Sequence, residues 1–221
     1  MYKHFIKRLV DIILSSMAIV VLAIPMLIIA IIIKIDDPGP VLFKQKRIGK
    51  NKNGEVAYFM IWKYRSMKMS TPHDTPTHLL ENPEQYITRI GKFIRKTSID
   101  ELPQIYQVFM GHLSCVGPRP ALWNQVDLWE ERQKYGANDI KPGVTGWAQI
   151  NGRDELEIPV KAKLDGEYTA ALNAGWFKGF AMDIKCLFGT VISVLKSDGV
   201  VEGGTGEIKK QEERKKEIVG K

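Results

Sequence analysis

Cysteine is scarce in this chain. The 221 residues hold two, Cys115 and Cys186, far apart and without CxxC spacing. That excludes a disulfide framework and a cysteine-based zinc site, and leaves two small hydrophobes in a reducing compartment. Histidine is nearly as sparse, with four. His73 and His78 share a polar, proline-broken stretch over 70–84, without the i, i+4 spacing of a helical metal pair, so a solvated loop is expected there. No internal repeat is visible, which excludes a repeat architecture. Acid is in deficit: 25 Asp and Glu face 32 Lys and Arg, a net charge of +7. Anionic partners are therefore expected, whether phosphates, acidic lipid or nucleic acid.

Long apolar runs are absent except for one. From Ile12 to Ile33 the chain is apolar apart from Ser15 and Ser16. A helix of that length reaches about 33 Å, against a hydrocarbon core of roughly 30 Å. Lys34-Ile-Asp-Asp-Pro38 follows where a secretory signal would carry small residues for cleavage. Pro25 falls near the middle of the run, where its missing donor and its ring predict a kink. Lys3, Lys7 and Arg8 precede the run; Lys34, Lys44, Lys46 and Arg47 follow it. A crossing helix cannot place both flanks on the cytoplasmic side. A kinked spanning helix and a re-entrant helix-break-helix both remain open on these residues. Asp11 can pair with Lys7 or Arg8 one turn earlier.

The rest reads as short elements. Asp37-Pro-Gly-Pro40 is a turn cluster, Val41–Gln45 a strand, Lys50–Gly54 a loop and Val56–Met67 a second strand carrying Lys63 and Arg65. After Pro120 a charged helix is expected through about Tyr135. Residues 141–153 are dense in turn formers. From Trp176 to Leu195 apolar positions follow one helical face, with core packing and docking at a membrane interface as rival explanations. The Gly-rich, then charged tail over 201–221 is expected to be mobile.

Chemistry concentrates in Arg95-Lys-Thr-Ser-Ile-Asp-Glu-Leu-Pro-Gln104. Pro103 and the helical spacing of Leu102, Ile105, Tyr106, Phe109 and Met110 predict a helix with Asp100 and Glu101 at its start. Alone, such a pair reads as a capped helix with two solvated acids. Arg95, Arg119 and Arg153 change the weighting, because each sits in rigid or turn-rich local sequence. Arg119 is restricted by Pro118 and Pro120, which suits a guanidinium held for bidentate phosphate recognition. Arg153 follows Asn151-Gly152, and Lys63 and Arg65 add charge from a strand end. A Mg2+ ion takes carboxylates plus phosphate oxygens, and a carboxylate can attack phosphorus directly.

These residues fall in an ordered set of motifs: Pro38-Gly-Pro40, Phe43–Gly49, Lys63-Tyr-Arg-Ser-Met67, Ser98–Gln104, Val116-Gly-Pro-Arg-Pro120 and Pro142–Gln149 leading to Asn151-Gly-Arg153. With them the chain, from Lys7 to about Val200, resembles the small bacterial sugar transferases. These are monotopic polyprenol-phosphate phosphoglycosyl transferases that start glycoconjugate and exopolysaccharide assembly. The resemblance implies a UDP-sugar donor, a polyprenol phosphate acceptor such as undecaprenyl phosphate, and Mg2+ held at Asp100. It implies that Asp100 attacks the sugar-bearing phosphorus and releases UMP, with Glu101 supporting the metal or orienting the pair. Lys63, Arg65, Arg95, Pro118, Arg119, Pro120 and Arg153 become the substrate-binding set. Re-entry of the membrane helix, broken at Pro25, is also implied, with the catalytic domain on the cytoplasmic face of the inner membrane.

The expected architecture is α+β: a re-entrant helix over 1–36, a compact catalytic domain over 37–200 with short strands and amphipathic interfacial helices, and the tail. Membrane lipids are expected partners, nucleic acid is not, and a homo-oligomer is open, as is the sugar. Three features depart from the family pattern: His112 where many relatives carry an acid, Ile24 where a small polar residue is frequent, and Asp165 and Asp183 set farther apart than usual. Two other functions fit the same residues, a Mg2+-dependent nucleotide-sugar hydrolase anchored in the membrane and a non-enzymatic, lipid-binding assembly partner.

Overall fold

The apolar run folds as one helix, α1, over Lys7–Asp36, entered through a π-helical turn at Tyr2–Ile6. The computed structural model describes residues 2–71, 83–152 and 156–196. Arg153, the stretch with His73 and His78, and the tail lie outside those residues. Where the sequence led us to expect two helices divided at Pro25, the helix continues through it. Beside it, the Tyr64 hydroxyl donates to the Met26 carbonyl at 2.9 Å, a polar contact next to the residue that lacks a donor. Ser15 and Ser16 donate back to the carbonyls of Asp11 and Ile12, so neither hydroxyl needs water.

One face of α1 is bare: Val20, Val21 and Ile24 are each at least 71 % exposed. The other face packs. Met26 and Ile33 form a cluster with Tyr64 and Ile94, flanked by Ile99 and Leu102. Both ends are tied by charge. At the start Lys7 reaches buried Asp183 at 2.7 Å, and Arg8 donates to the last carbonyls of a later helix, Val108 and Phe109. At the other end Asp36 accepts from Ile90 N–H, and Asp37 accepts from Arg65 and from Met69 N–H. Start and finish of α1 therefore rest on the same body of protein.

Strands β1 (Leu42–Ile48) and β2 (Tyr58–Tyr64) pair antiparallel, with Lys63 opposite Phe43. Both are displaced by a few residues from the ranges expected from sequence, because pairing rather than propensity sets where they end. Helix α2 (Arg89–Lys96) is capped by Thr88, whose hydroxyl accepts from Gly91 N–H. A Cβ on Gly91 would lie 2.0 Å from the Ser66 carbonyl, so only glycine lets α2 approach the chain leaving β2. A 3-10 turn over Ile99–Glu101 follows, then helix α3 (Gln104–Met110), ended by Gly111 at φ 89°.

Strand β3 (Ser114–Val116) pairs in parallel with β4 (Gly143–Thr145), and helix α4 (Val126–Gln133) lies in the connection. A Cβ on Gly143 would come within 2.1 Å of the Gly117 nitrogen. The glycines of two sequence motifs thus allow two backbones to touch. Helices α5 (Trp147–Ile150), α6 (Ile158–Asn173) and α7 (Trp176–Lys196) complete the described chain. The mixture of helices and short strands is α+β.

Helix α6 was not legible in the sequence because its buried face carries Ala162, Asp165, Gly166, Tyr168, Thr169 and Leu172. The spacing is helical, but most of the side chains are small or polar. Asp165 pairs with Arg132 of α4 at 2.6 Å, both nearly fully buried. Helix α7 is turned the opposite way from a core helix: Gly179, Asp183 and Cys186 face inward. Of the apolar face noted in the sequence, Trp176, Phe177, Phe188 and Val191 point out, whereas Leu187 packs against the core. Asp183 accepts from Lys7, Tyr2 and Tyr168 together, an arrangement in which each partner offsets the cost of burying the carboxylate.

Candidate active site

Asp100 and Glu101 sit on the 3-10 turn, one turn earlier than the helix start expected for them. Ser98, at φ 56°, reverses the chain after α2 and gives the pair a turn of its own. Neither acid caps α3, whose N-cap residue is Pro103 and has no side-chain hydrogen bond. What fixes the turn is its apolar flanks. Ile99 and Leu102 pack into the cluster containing Met26 and Ile33 of α1, so the two carboxylates ride directly on the apolar helix.

Around the pair the structure gathers three of the cations expected at the site. Lys63 extends from the end of β2 and places Nζ 2.8 Å from Glu101 Oε1 and 3.7 Å from Asp100 Oδ2. Arg119 grips Glu101 with two bonds, Nη2 to Oε1 at 2.8 Å and Nη1 to Oε2 at 3.3 Å. Arg95, in the last turn of α2, acts electrostatically on Asp100. Pro118 and Pro120 are buried on either side of half-exposed Arg119. Their carbonyls are held by Gly143 N–H at 3.0 Å and by the Arg47 guanidinium at 3.1 Å.

The two acids differ in what surrounds them. Burial pushes Asp100 above the ordinary aspartate value, and Glu101 adds to the rise; Lys63, Arg95 and Arg119 pull it back only in part. Burial would raise Glu101 too, but Arg119 and Lys63 hold it well below the ordinary glutamate value. One carboxylate is thus an anion clamped by cations, and the other is an anion that burial disfavours. Neighbouring acids driven apart in this way mark acid–base and nucleophilic sites.

Arg65 is engaged elsewhere. Strand β2 stops at Tyr64, and Arg65 turns to the end of α1, where its guanidinium donates to the carboxylate and carbonyl of Asp37 and to the Pro40 carbonyl. Two supporting residues carried no clear signal in sequence. Gln107, 2 % exposed, lines the free edge of β2: its Oε1 accepts from Trp62 N–H at 2.8 Å and its Nε2 donates to the Met60 carbonyl at 2.7 Å. It thereby docks the strand that carries Lys63 onto α3. Arg47, through Pro120, steadies the loop that carries Arg119. A polar residue among apolar helical positions was the one available hint for Gln107.

No group of three or more His, Cys, Asp or Glu side chains that could enclose a metal occurs among the described residues. A divalent ion shared with a phosphate needs fewer protein ligands, one or two carboxylates. Asp100 fits that demand: it is deficient in compensating charge, while Glu101 is already engaged on both oxygens.

The model of a protein family described as bacterial sugar transferase matches residues 2–197. The chain belongs to the bacterial sugar transferase family. As a member it is an enzyme, a phosphoglycosyl transferase. The uncharacterized sugar transferase EpsL of Bacillus subtilis (strain 168) is 37 % identical over 88 % of this chain and 90 % of its own length. The exopolysaccharide production protein PSS of Rhizobium leguminosarum bv. phaseoli is 38 % identical over 86 % of this chain and 95 % of its own. The UDP-glucose:undecaprenyl-phosphate glucose-1-phosphate transferase of Escherichia coli (strain K12) is 36 % identical over 85 % of this chain, but over only 40 % of its own length. This sugar transferase is thus similar in extent to the first two and matches about two-fifths of the third.

Proposed function

We propose that this sugar transferase moves a sugar phosphate from a UDP-sugar to a polyprenol phosphate, undecaprenyl phosphate by the relatives' names, with Asp100 as covalent nucleophile. The observation that carries the reading is the arrangement of the pair: Lys63 and Arg119 grip Glu101 at 2.8 Å each, while adjacent Asp100, whose anion burial disfavours, has Lys63 at 3.7 Å. In the first step an Asp100 oxygen attacks the phosphorus that bears the sugar. The bond from that phosphorus to the bridging oxygen breaks, and UMP leaves with the electron pair. In the second step an acceptor phosphate oxygen attacks the same phosphorus, freeing Asp100 and giving a polyprenol-diphosphate sugar.

Both steps bring anions together, so positioning and charge neutralisation matter more than proton transfer. Asp100 is the residue that would hold a Mg2+ ion, and such an ion would supply part of that neutralisation. Arg95, Arg119 and Lys63 supply the rest from this chain, with Arg153 of the same motif set as a further phosphate contact. Arg119 has a double role, since the guanidinium that clamps Glu101 stands half-exposed between Pro118 and Pro120.

The acceptor's place in a bilayer gives α1 its purpose. Both ends of the helix are tied to one polar body, which supports entry and exit on the same membrane face. Its bare apolar side and the outward aromatics of α7 support partial immersion of the protein, α7 lying at the interface. We place the domain on the cytoplasmic face, where nucleotide-sugars are made.

The test supplies a panel of UDP-sugars, Mg2+ and polyprenol phosphate to the detergent-solubilised full chain. UMP release that depends on acceptor, with a lipid-linked sugar phosphate as product, is expected. UMP release indifferent to acceptor would assign a hydrolase, and UDP as product would exclude phosphosugar transfer.

A further inference from the structure

A concavity of about 180 Å3 is lined by none of the residues around the carboxylate pair. Lys3, Lys7, Arg8, Lys50 and Lys141 line it, with Ser114 among them. Only two acids join the lining, Asp11 and Asp139, and both are otherwise engaged. Asp11 accepts from Ser114 Oγ at 3.1 Å and from Cys115 N–H at 2.8 Å; Asp139 accepts from Asn51. Three of the cations have partners as well: Lys7 on Asp183, Arg8 on the end of α3 and Lys3 on Asn173. Lys50 and Lys141 differ. Among the described residues neither ammonium makes an ion pair or a side-chain hydrogen bond.

Five cations over two engaged carboxylates leave a net positive hollow, and Lys141 stands half-buried in it. Burial and the nearby Arg8 push Lys141 below its ordinary value, Asp11 opposing and Lys50 and Lys7 adding to the fall. A bound anion would relieve that repulsion.

The hollow's position narrows the anion. Lys3, Lys7 and Arg8 belong to the first turns of α1 and the π-helical turn before it, and these same turns turn Phe5 and Leu9 outward, 70 % and 49 % exposed. Polar, basic protein meets the apolar surface at this point, the level of lipid phosphates if α1 enters a bilayer. We propose that this hollow is a binding site for the phosphate of an anionic phospholipid headgroup, held by Lys50 and Lys141 at the foot of α1. The inference rests on the membrane reading of α1 and not on the transfer chemistry.

The test measures how strongly the full chain, reconstituted in phosphatidylcholine bilayers, selects spin-labelled phosphatidylglycerol over spin-labelled phosphatidylcholine. A several-fold preference is expected for the wild type, falling toward unity in Lys50→Gln/Lys141→Gln and persisting in Lys63→Gln. Glutamine keeps the packing of the stems, and circular dichroism of each variant verifies the fold. A preference unchanged by the double substitution overturns the assignment. Equal loss in Lys63→Gln overturns it too, by moving the effect to the carboxylate site. Displacement of the labelled lipid by inorganic phosphate at constant ionic strength would assign the hollow to a soluble anion instead.

Discussion

At the scale of single residues, the account turns on two adjacent acids with opposite environments. Glu101 is held below its ordinary value in the fold, so its contribution to stability is present above about pH 4 and fades as pH falls through the folded value. Glu101→Gln should cost about 2–3 kcal/mol at neutral pH, the scale of hydrogen bonds to charged groups. Its deficit against wild type should shrink in acid, as denaturant titrations at several pH values would reveal. Asp100 behaves in reverse. In the proposed mechanism its anion is the nucleophile, so kcat/KM should rise with pH through its raised value, a value that Lys63 holds down in part. Lys63→Met should shift the acid limb of the pH profile to higher pH, besides lowering kcat. An unmoved limb would show that another group sets it.

At the scale of elements, the sequence announced some parts clearly and concealed others for definable reasons. The long apolar helix was legible from its unbroken apolar run, the two strands, of which β2 bears Lys63, from their short apolar stretches between turn clusters, and α7 from its helical periodicity. Helix α6 was not, since it buries Asp165, Gly166 and Thr169 in place of large apolar groups. The parallel β3–β4 pair hid inside glycine-rich motifs that read as turns. Those glycines serve backbone contact: Gly143→Ala should abolish folding, its Cβ meeting Gly117 nitrogen at 2.1 Å, and expression with thermal melting checks it. The acids were recognised as a pair, yet their separate 3-10 turn depends on Ser98 adopting a left-handed conformation that residue identity does not announce. Arg65 was assigned to substrate from its charge, and only the end of β2 reveals its engagement with Asp37. Gln107→Leu should leave Trp62 N–H and Met60 C=O unpaired, costing about 2–3 kcal/mol. It should also lower kcat about tenfold as Lys63 loosens, a loss that steady-state kinetics would detect.

At the scale of the whole molecule, the long apolar helix also holds the turn that carries Asp100 and Glu101. Met26 and Ile33 pack beside Ile99 and Leu102, so a disturbance of α1 reaches Asp100 through one layer of side chains. Single cysteines placed near Tyr2 and near Asn51, in an otherwise cysteine-free chain, should label from the same face of sealed vesicles; labelling from opposite faces would sink the re-entrant topology. The central claim, however, is the covalent role of Asp100. The most direct measurement incubates the full chain with UDP-sugar and Mg2+ without acceptor, quenches it, and maps added mass by peptide mass spectrometry. The account predicts a sugar phosphate on Asp100, chased by added polyprenol phosphate and absent from Asp100→Asn. An adduct on any other residue, or turnover retained by Asp100→Asn, would contradict it.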